Sequence, residues 1–490
     1  MVAAVMGVDS STQSCTVEIR ELDGGALLAT GRASHPKTTP PKSEQAPDTW
    51  WNALVQATAY AHHEAASRKI RPRILGISVA AQCHGLTIAD AAGDIIRPTK
   101  LWNDTTSAEQ AAQLLQRRSR QWWADEMGIL PSPAITISKL MWLAENEPEN
   151  FAAIDRIFVP HDWLTFKLTG QHVTDRSDAS GTGYYSPSTD VWRTDLLQEL
   201  FGDRDWEAKL PLVLGPQEPA GLVTPTAAAE LGIAPETVVG PGGGDQHVSA
   251  QGIGLQYGDI AYSLGTSGVV FATSVDPIRD PSGDVDGVAN IVGGYLPLVS
   301  TFNAAKVTDA FARLLGVSLP ELGDLALAAP TSPDRPVLAA YLDGERTPNM
   351  PWARGMVAGL SSDLTREQFA LAAVEGVVMG LVRGERRIAS FGVPTDGRVL
   401  AIGGAAKSPA YRQVLADFTG RTVVTVDAPE SVARGAAIQA AAIVNRTTVL
   451  HQTNRWLPPV LSRTQPKTNR NGLMDRYLKL ANLQADGKTF

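Results

Sequence analysis

Asp245 follows three glycines in the stretch "GPGGGDQHVSAQGIG" (240–254), so a lone carboxylate stands where the chain has given up three side chains. Glycine loses more backbone freedom on folding than any other residue, and a triplet therefore needs a reason. Two chemistries suit the pattern. An aspartate opening a helix caps free backbone N–H groups, and an aspartate flanked by bare backbone can take a proton from a substrate that comes close. The residues alone leave both open, and the roles are not exclusive. A second carboxylate, Asp9, ends the apolar run "AAVMGV" (3–8) and suits a magnesium ion held through water.

Two turns built of small polar residues could bind phosphate. Ser11, Thr12 and Gln13 form one, and Gly265, Thr266 and Ser267 the other. Consecutive small residues expose backbone N–H groups and hydroxyls add donors, so such turns can cradle phosphate oxygens. The usual nucleotide signatures are absent. "GGAAKS" (403–408) lacks a glycine before its lysine, and "GIGLQY" (252–257) lacks the third glycine of a dinucleotide fingerprint and precedes a strand. His84, in "AAQCHG", offers one donor and one acceptor when neutral.

The elements that must position these residues occur twice. "AAVMGV", a polar turn and "CTVEIREL" read as strand, turn, strand, and "GALLATGRAS" supplies a third strand. Residues 48–68 have helical spacing with Asp48 as N-cap, and "ILGISVAAQ" (74–82) reads as a strand buried on both faces. In the second half, "DIAYSLGTSGVVFAT" (259–273), the helix pattern 366–388 and the strand 397–404 repeat that order. Two related α/β halves are expected, with a boundary near 252–259 and a cleft between them, a favoured place for ligands. From Asn445 the chain reads as a polar, irregular surface connection followed by one amphipathic helix, "LMDRYLKLANLQ". His62 and His63 read as solvated, and the tryptophans at 122, 123, 142 and 163 as core.

The 490 residues carry a net charge of −8 and are 43% hydrophobic, which argues for a globular protein and against a nucleic-acid binder. Cys15 and Cys83 are too few for a disulfide framework or a cysteine-rich zinc site, the N-terminus lacks a basic region, and no apolar run would span a bilayer. A reducing cytoplasm without a membrane partner is the expectation.

Taken together, "MGVDSSTQS", "GGGDQH", "YSLGTSG" and "GGAAKSPAYRQVLADFTG" resemble the FGGY family of carbohydrate kinases, in order and across nearly the whole chain. The resemblance implies an α/β, two-domain actin-like (ribonuclease-H-like) fold with duplicated halves around a central cleft. It implies an N-terminal sugar-binding domain (1–252), a C-terminal nucleotide-binding domain (253–445) and a C-terminal extension (446–490). It also implies ATP and Mg²⁺ as cofactors, with Asp245 as general base and Asp9 and Asp245 on the metal side. Ser11, Thr12, Gln13, Gly265, Thr266 and Ser267 would hold phosphates, and Gly403, Gly404 and Ala405 the adenosine.

Within the family, "AAQCHG", "LWND" (101–104) and "GERTP" (344–348) resemble the xylulokinase branch, which implies a ketopentose acceptor. Gln82, Cys83, His84, Trp102, Asp104 and Gln246 are then the sugar-binding candidates. Cys83 stands where that branch carries methionine, His247 replaces a small residue, and "NMPWARG" (349–355) lacks an aspartate before its final residues. Kinases for ribulose, arabinitol or fuculose, a silent sugar and nucleotide sensor, and a chaperone-like ATPase are the competing readings. A second copy of the chain is left open as a partner.

Overall fold

The computed structural model describes residues 1–485; residues 486–490, the end of the expected C-terminal extension, lie outside the described residues. Two mixed sheets carry the molecule. In the first, β1 (Val2–Ser10), β2 (Ser14–Glu21) and β3 (Leu27–Ser34) form an antiparallel meander. The helix α1 (Pro47–Ser67) packs on β2 and β3 and returns the chain to β4 (Pro72–Ala81), which pairs parallel to β1. The last six residues of β4 are buried, which explains a run in which Ser78 carries the one polar side chain. Its other edge carries Val238–Val239 and then, at its carboxyl end, β5 (Gly243–Gly244). The helix α2 (Asp245–Gly252) follows directly.

The second sheet repeats this order. The strands β6 (Ile260–Leu264), β7 (Gly268–Ala272) and β8 (Leu298–Thr301) are antiparallel. After the long helix α3 (Arg366–Ala389), β9 (Val399–Ile402) pairs parallel to β6. Thr365 and Gln368 close a reciprocal capping box at the start of α3, which fixes where the helix begins. β10 (Val423–Val426) extends the sheet in parallel. Both halves thus run third, second, first, fourth strand across the sheet, the duplicated actin-like arrangement.

The halves interlock through two helices. The helix α4 (Ser431–Val444) belongs to the second half yet packs on β1 and β4 of the first sheet. It comes so close that a Cβ on Gly7 would stand 1.9 Å from the Ala433 carbonyl oxygen. In turn, Ala250 and Ile253 at the end of α2 join Ala261, Phe271 and Leu400 of the second sheet in one apolar cluster.

Four details depart from the sequence reading. The helix α1 starts at Pro47 after Ala46, so Asp48 lies in its first turn rather than at the cap; proline's fixed φ suits that first position. The stretch after Asn445 is not irregular: it holds a helix, Val449–Arg455, and a strand, β11 (Val460–Thr464), antiparallel to β10. Its exposed edge position lets polar residues alternate freely, which hid the strand. His62 is half-buried, and burial lowers its pKa. Trp123 and Trp163 are core as expected, whereas Trp122 and Trp142 are half-buried under Arg and Lys side chains.

Candidate functional site

The parallel pairing of β1, β4 and β5 brings Asp9, Gln82 and Asp245 to one sheet edge. Asp9 is registered opposite Ala80, and Gly244 opposite Ala81, so the two carboxylates leave the carboxyl ends of strands on either side of β4. That edge of an open α/β sheet is where ligands bind. A cavity of about 180 Å³ opens there between the halves, with Thr12, Cys83, His84, Trp102, Asp245 and Gln246 on its first-half wall. Ser267, Asp286, Thr301, Phe302 and Arg346 line the opposite wall.

The glycines before Asp245 have a steric cause. Gly242 has φ +83°, a left-handed conformation that L side chains rarely adopt, and a Cβ on it would lie 2.4 Å from the Val79 carbonyl oxygen. A Cβ on Gly244 would lie 2.5 Å from Cys83 Sγ and 2.8 Å from His247 Nδ1. The bare backbone therefore makes room for Cys83 and His247 beneath Asp245. Asp245 is the first residue of α2; Gly244 is its N-cap, and the carboxylate accepts the Gln246 N–H at 2.7 Å and the Cys83 thiol at 3.6 Å. These bonds leave the carboxylate on the cavity.

Burial sets the electrostatics. It raises Asp245 to about 6, against the hydrogen bonds from Gln246 and Cys83. Burial likewise raises Asp9 to about 7, with the nearby charge of Asp245 adding to the shift and the Ser11 hydroxyl, 2.5 Å away, opposing it. Burial pushes the Cys83 thiol up, so it stays protonated and donates. His247 is buried and lowered to about 4, a neutral imidazole. Among the described residues no three His, Cys, Asp or Glu side chains form a metal-ligand set. Two raised carboxylates that repel each other still fit a hard cation that keeps its waters and leans on substrate phosphates, since magnesium needs only one or two protein carboxylates.

His84 is held by its backbone. Its φ of +64° is left-handed, which costs a non-glycine residue about 1–2 kcal/mol. The N–H donates to Asp178 Oδ1 at 3.2 Å, and the carbonyl oxygen accepts Thr136 Oγ1 and Lys139 Nζ, each at 3.1 Å. The ring lies on Gly181, where a Cβ would stand 2.2 Å from His84 Cε1. "SDASGT" (177–182) is therefore the platform for this histidine. Burial lowers its pKa well below the ordinary value, with Lys139 and Arg346 adding to the effect, so the imidazole is neutral.

The turns take the expected strand–turn–strand form. Thr12 lines the cavity and its hydroxyl accepts the Trp102 indole N–H at 2.9 Å, which couples the first turn to the "LWND" loop. Gln13 is exposed and outside the cavity lining. In the second turn Gly265 N–H donates to the Ser267 carbonyl at 3.1 Å, and Thr266 and Ser267 are exposed. Gly403, Gly404 and Ala405 follow β9, and the β6–β9 pairing places them beside that turn, outside the cavity. Gly403 has φ +88° and no space for a Cβ, which would lie 2.7 Å from the Leu264 carbonyl oxygen, whereas Gly404 faces open space.

Two sugar candidates sit elsewhere. Asp104 is fully buried and does not line the cavity. Its carboxylate accepts the Ser43 N–H at 2.8 Å, Lys100 Nζ at 3.3 Å and the Thr106 N–H at 3.0 Å. Burial alone would raise its pKa, but the Thr106 hydroxyl, followed by these bonds, holds it low; Asp104 organises the loop that presents Trp102. Gln82 is buried behind the first turn, with Nε2 3.4 Å from Gln45 Oε1, and Gln45 in turn donates to the Thr12 carbonyl at 3.1 Å. Both stand beside cavity residues in sequence, but each lies past a strand end and turns inward, Asp104 to its own loop and Gln82 to Gln45.

The second-half wall was largely missed. Asp286 and Phe302 lie in loops without a motif, and nothing in the spacing of "GERTP" marks Arg346 as a cavity residue. The buried Glu345 explains that segment. It accepts Thr301 Oγ1 at 2.6 Å, the Phe302 N–H at 3.1 Å, Asn303 Nδ2 at 3.1 Å and the Arg346 N–H at 2.6 Å. One carboxylate thus ties the end of β8 to the loop that carries Arg346.

The turn permits a direct test. If this turn holds the phosphates of ATP, as the resemblance implies, Thr266→Trp on its exposed position should raise KM for ATP about tenfold or more by covering backbone donors to charged oxygens. Sugar binding measured by calorimetry without nucleotide should be unchanged; equal loss of both ligands would make the turn merely structural.

Comparison with known proteins agrees with this geometry. Residues 4–252 match the N-terminal domain, and residues 260–443 the C-terminal domain, of the FGGY family of carbohydrate kinases. The chain is 37% identical to the xylulose kinase of Streptomyces rubiginosus over 457 residues, covering 92% of this chain and 90% of that protein. It is 34% identical to the xylulose kinase of Escherichia coli, covering 85% of each. The crystal structure of xylulose kinase from Bifidobacterium adolescentis superposes with a TM-score of 0.85 at 34% identity, covering 98% of this chain and 99% of that one.

Proposed function

Because the chain belongs to the FGGY family of carbohydrate kinases, we propose that it transfers the γ-phosphoryl group of ATP to the terminal hydroxyl of a ketopentose, D-xylulose, giving D-xylulose 5-phosphate. The observation that carries this reading is the single cavity faced by the Asp245 carboxylate, His84 and both small-residue turns. The relatives named xylulose kinase support the choice of sugar.

In this reading the sugar lies against His84, Trp102 and Gln246 with its terminal hydroxyl at Asp245. The carboxylate takes the hydroxyl proton as the oxygen attacks the γ-phosphorus, the bond to the β-phosphate oxygen breaks, and ADP leaves. Phosphoryl transfer asks the protein mainly for positioning and electrostatics, plus one group to accept that proton. Asp9, through water, together with Asp245 would hold Mg²⁺, whose charge offsets that of the phosphates. The two turns hold the phosphates, and Gly403, Gly404 and Ala405 leave a bare surface for the adenosine. The domain division at 252–253 then leaves most sugar contacts in the first half and the adenosine surface in the second, with the phosphates between them.

Both walls of the cavity come from one chain, so a second copy is not needed to complete the site. Among the described residues no helix is long and apolar enough to cross a membrane. Cys15 and Cys83 are free thiols, which suits a reducing cytoplasm.

A sugar panel tests the proposal. D-xylulose should show the highest kcat/KM among D-xylulose, D-ribulose, L-fuculose, D-arabinitol and glycerol in a coupled ADP assay. A preference for glycerol would overturn the reading of residues 80–104, and a preference for another ketose would move the substrate within the class.

A further inference from the structure

The cavity holds one feature that proton transfer and phosphate binding do not use. Arg346 enters from the second half, held by the Glu345 bonds to its own backbone and to the end of β8. Among the described residues its guanidinium makes one hydrogen bond, a long one, from Nη2 to Asp286 Oδ2 at 3.4 Å. An arginine carries five donors and no acceptor. Most of its donors therefore remain for a ligand.

The other polar groups on the walls differ in kind. Asp245 and Asp286 accept, while Thr12, Ser267, Ser300, Thr301, Gln246 and neutral His84 can both donate and accept. Trp102 donates only, and its N–H is committed to Thr12. Arg346 is thus the one uncommitted pure donor lining the cavity among the described residues. A ketose differs from its reduced polyol at one group, a carbonyl oxygen that accepts and cannot donate.

The layout sets which end of the sugar Arg346 meets. Asp9 and Asp245 leave the carboxyl ends of strands on either side of β4, and they define the phosphoryl-transfer end. In the β7–β8 register Gly268, next to the second turn, pairs with Thr301, whereas Asp286, which holds the Arg346 guanidinium, is bridged to Leu298 at the other end of β8, away from that turn. If the terminal hydroxyl of a 2-ketopentose is at Asp245, the far end is C1–C2.

We propose that Arg346 donates to the C2 carbonyl oxygen of the ketose and sets a preference for ketoses over pentitols, with Asp286 holding the guanidinium in place. This rests on the ketopentose kinase reading above. The preference follows from an asymmetry: a carbonyl meets the donor without loss, whereas the extra hydroxyl proton of a pentitol must find another acceptor or stay unpaired, which is costly in a closed site.

The test uses the full-length enzyme with D-xylulose and its two reduction products, xylitol and D-arabinitol. In Arg346→Met, kcat/KM for D-xylulose should fall about 10- to 100-fold, the scale of a lost charged hydrogen bond. Pentitol kcat/KM should change by less than about threefold, and calorimetric binding without nucleotide should show the same collapse of the ketose-to-pentitol ratio. KM for ATP should hold, which also reports a folded variant. Arg346→Lys keeps a donor without the fork and should fall between; it carries the test if the methionine variant does not fold. Equal loss for ketose and pentitol, or an unchanged ratio, overturns the proposal. Wild-type enzyme that phosphorylates no ketose overturns the function reading and this inference together, and that result is visible before any variant is made.

Discussion

Gly7→Ala should both destabilise the protein and impair turnover, although Gly7 touches no ligand-binding residue. Its hydrogen faces α4 so closely that an added Cβ would stand 1.9 Å from the Ala433 carbonyl oxygen and 2.5 Å from the Ala437 nitrogen, both backbone atoms. Backbone cannot rotate away as a side chain can, so strand and helix must separate. Overpacking of this kind costs about 1–3 kcal/mol. The displaced helix also carries Gly435, where a Cβ would lie 2.0 Å from the Val248 carbonyl oxygen of α2. Moving α4 therefore moves the helix that begins at Asp245. A displacement of about 1 Å at a reacting group can cost about 100-fold in rate. Thermal unfolding without ligands should show a lowered Tm, and kcat measured well below that Tm should fall. A variant with wild-type Tm and kcat would mean that the close packing of the two halves does not position the site.

The duplicated fold was legible because its signals are local. Apolar runs ending in small polar turns gave β1, β2, β6 and β7, and the long periodic pattern gave α3 within a few residues. The third strand of the second half, β8, was not legible: a long excursion through residues 273–297 separates it from β7, and no turn chemistry announces it. β11 was hidden for a related reason, since an exposed edge strand needs no apolar pattern. Of the candidates, Asp245, His84, Trp102 and Thr12 line the cavity and Asp9 ends the strand beside β4, outside that lining; these positions were legible because motif and strand end coincide. Asp104 and Gln82 share those motifs, but their side chains point into the loop and the turn that support the wall. The opposing wall of Asp286, Phe302 and Arg346 comes from loops that only the second sheet brings together, and such contacts leave no trace in spacing along the chain.

Asp245→Asn is the substitution with the largest expected effect on rate. The amide keeps the shape of the carboxylate but cannot take a proton at neutral pH, and removing a general base typically costs about 10²–10⁴ in rate. The pH dependence follows from burial. With a pKa of about 6, Asp245 is ionised at pH 7.5 and becomes protonated on acidification, so wild-type kcat/KM should fall below about pH 6. The residual activity of Asp245→Asn should lose that acid limb. Stability should move the other way. The folded protein binds this proton more tightly than an ordinary carboxyl of pKa 3.8, so the favourable contribution is full below about pH 4 and is lost as pH rises through about 6. At pH 8 the ionised carboxylate is the disfavoured form, and the neutral amide should leave Tm equal or higher, the usual trade between activity and stability.

Gly244, not Asp245, caps α2, so the remaining alternative is a purely structural role in the first turn; it predicts otherwise, because the asparagine amide oxygen accepts the Gln246 N–H as the carboxylate does. The decisive measurement is kcat of Asp245→Asn at pH 7.5 with saturating D-xylulose and ATP, alongside calorimetric D-xylulose binding to the same preparation. The general-base account predicts a kcat lowered by about 100-fold or more with sugar affinity within about tenfold of wild type, since the amide still hydrogen-bonds hydroxyls. A variant that binds the sugar and turns over at the wild-type rate would contradict it.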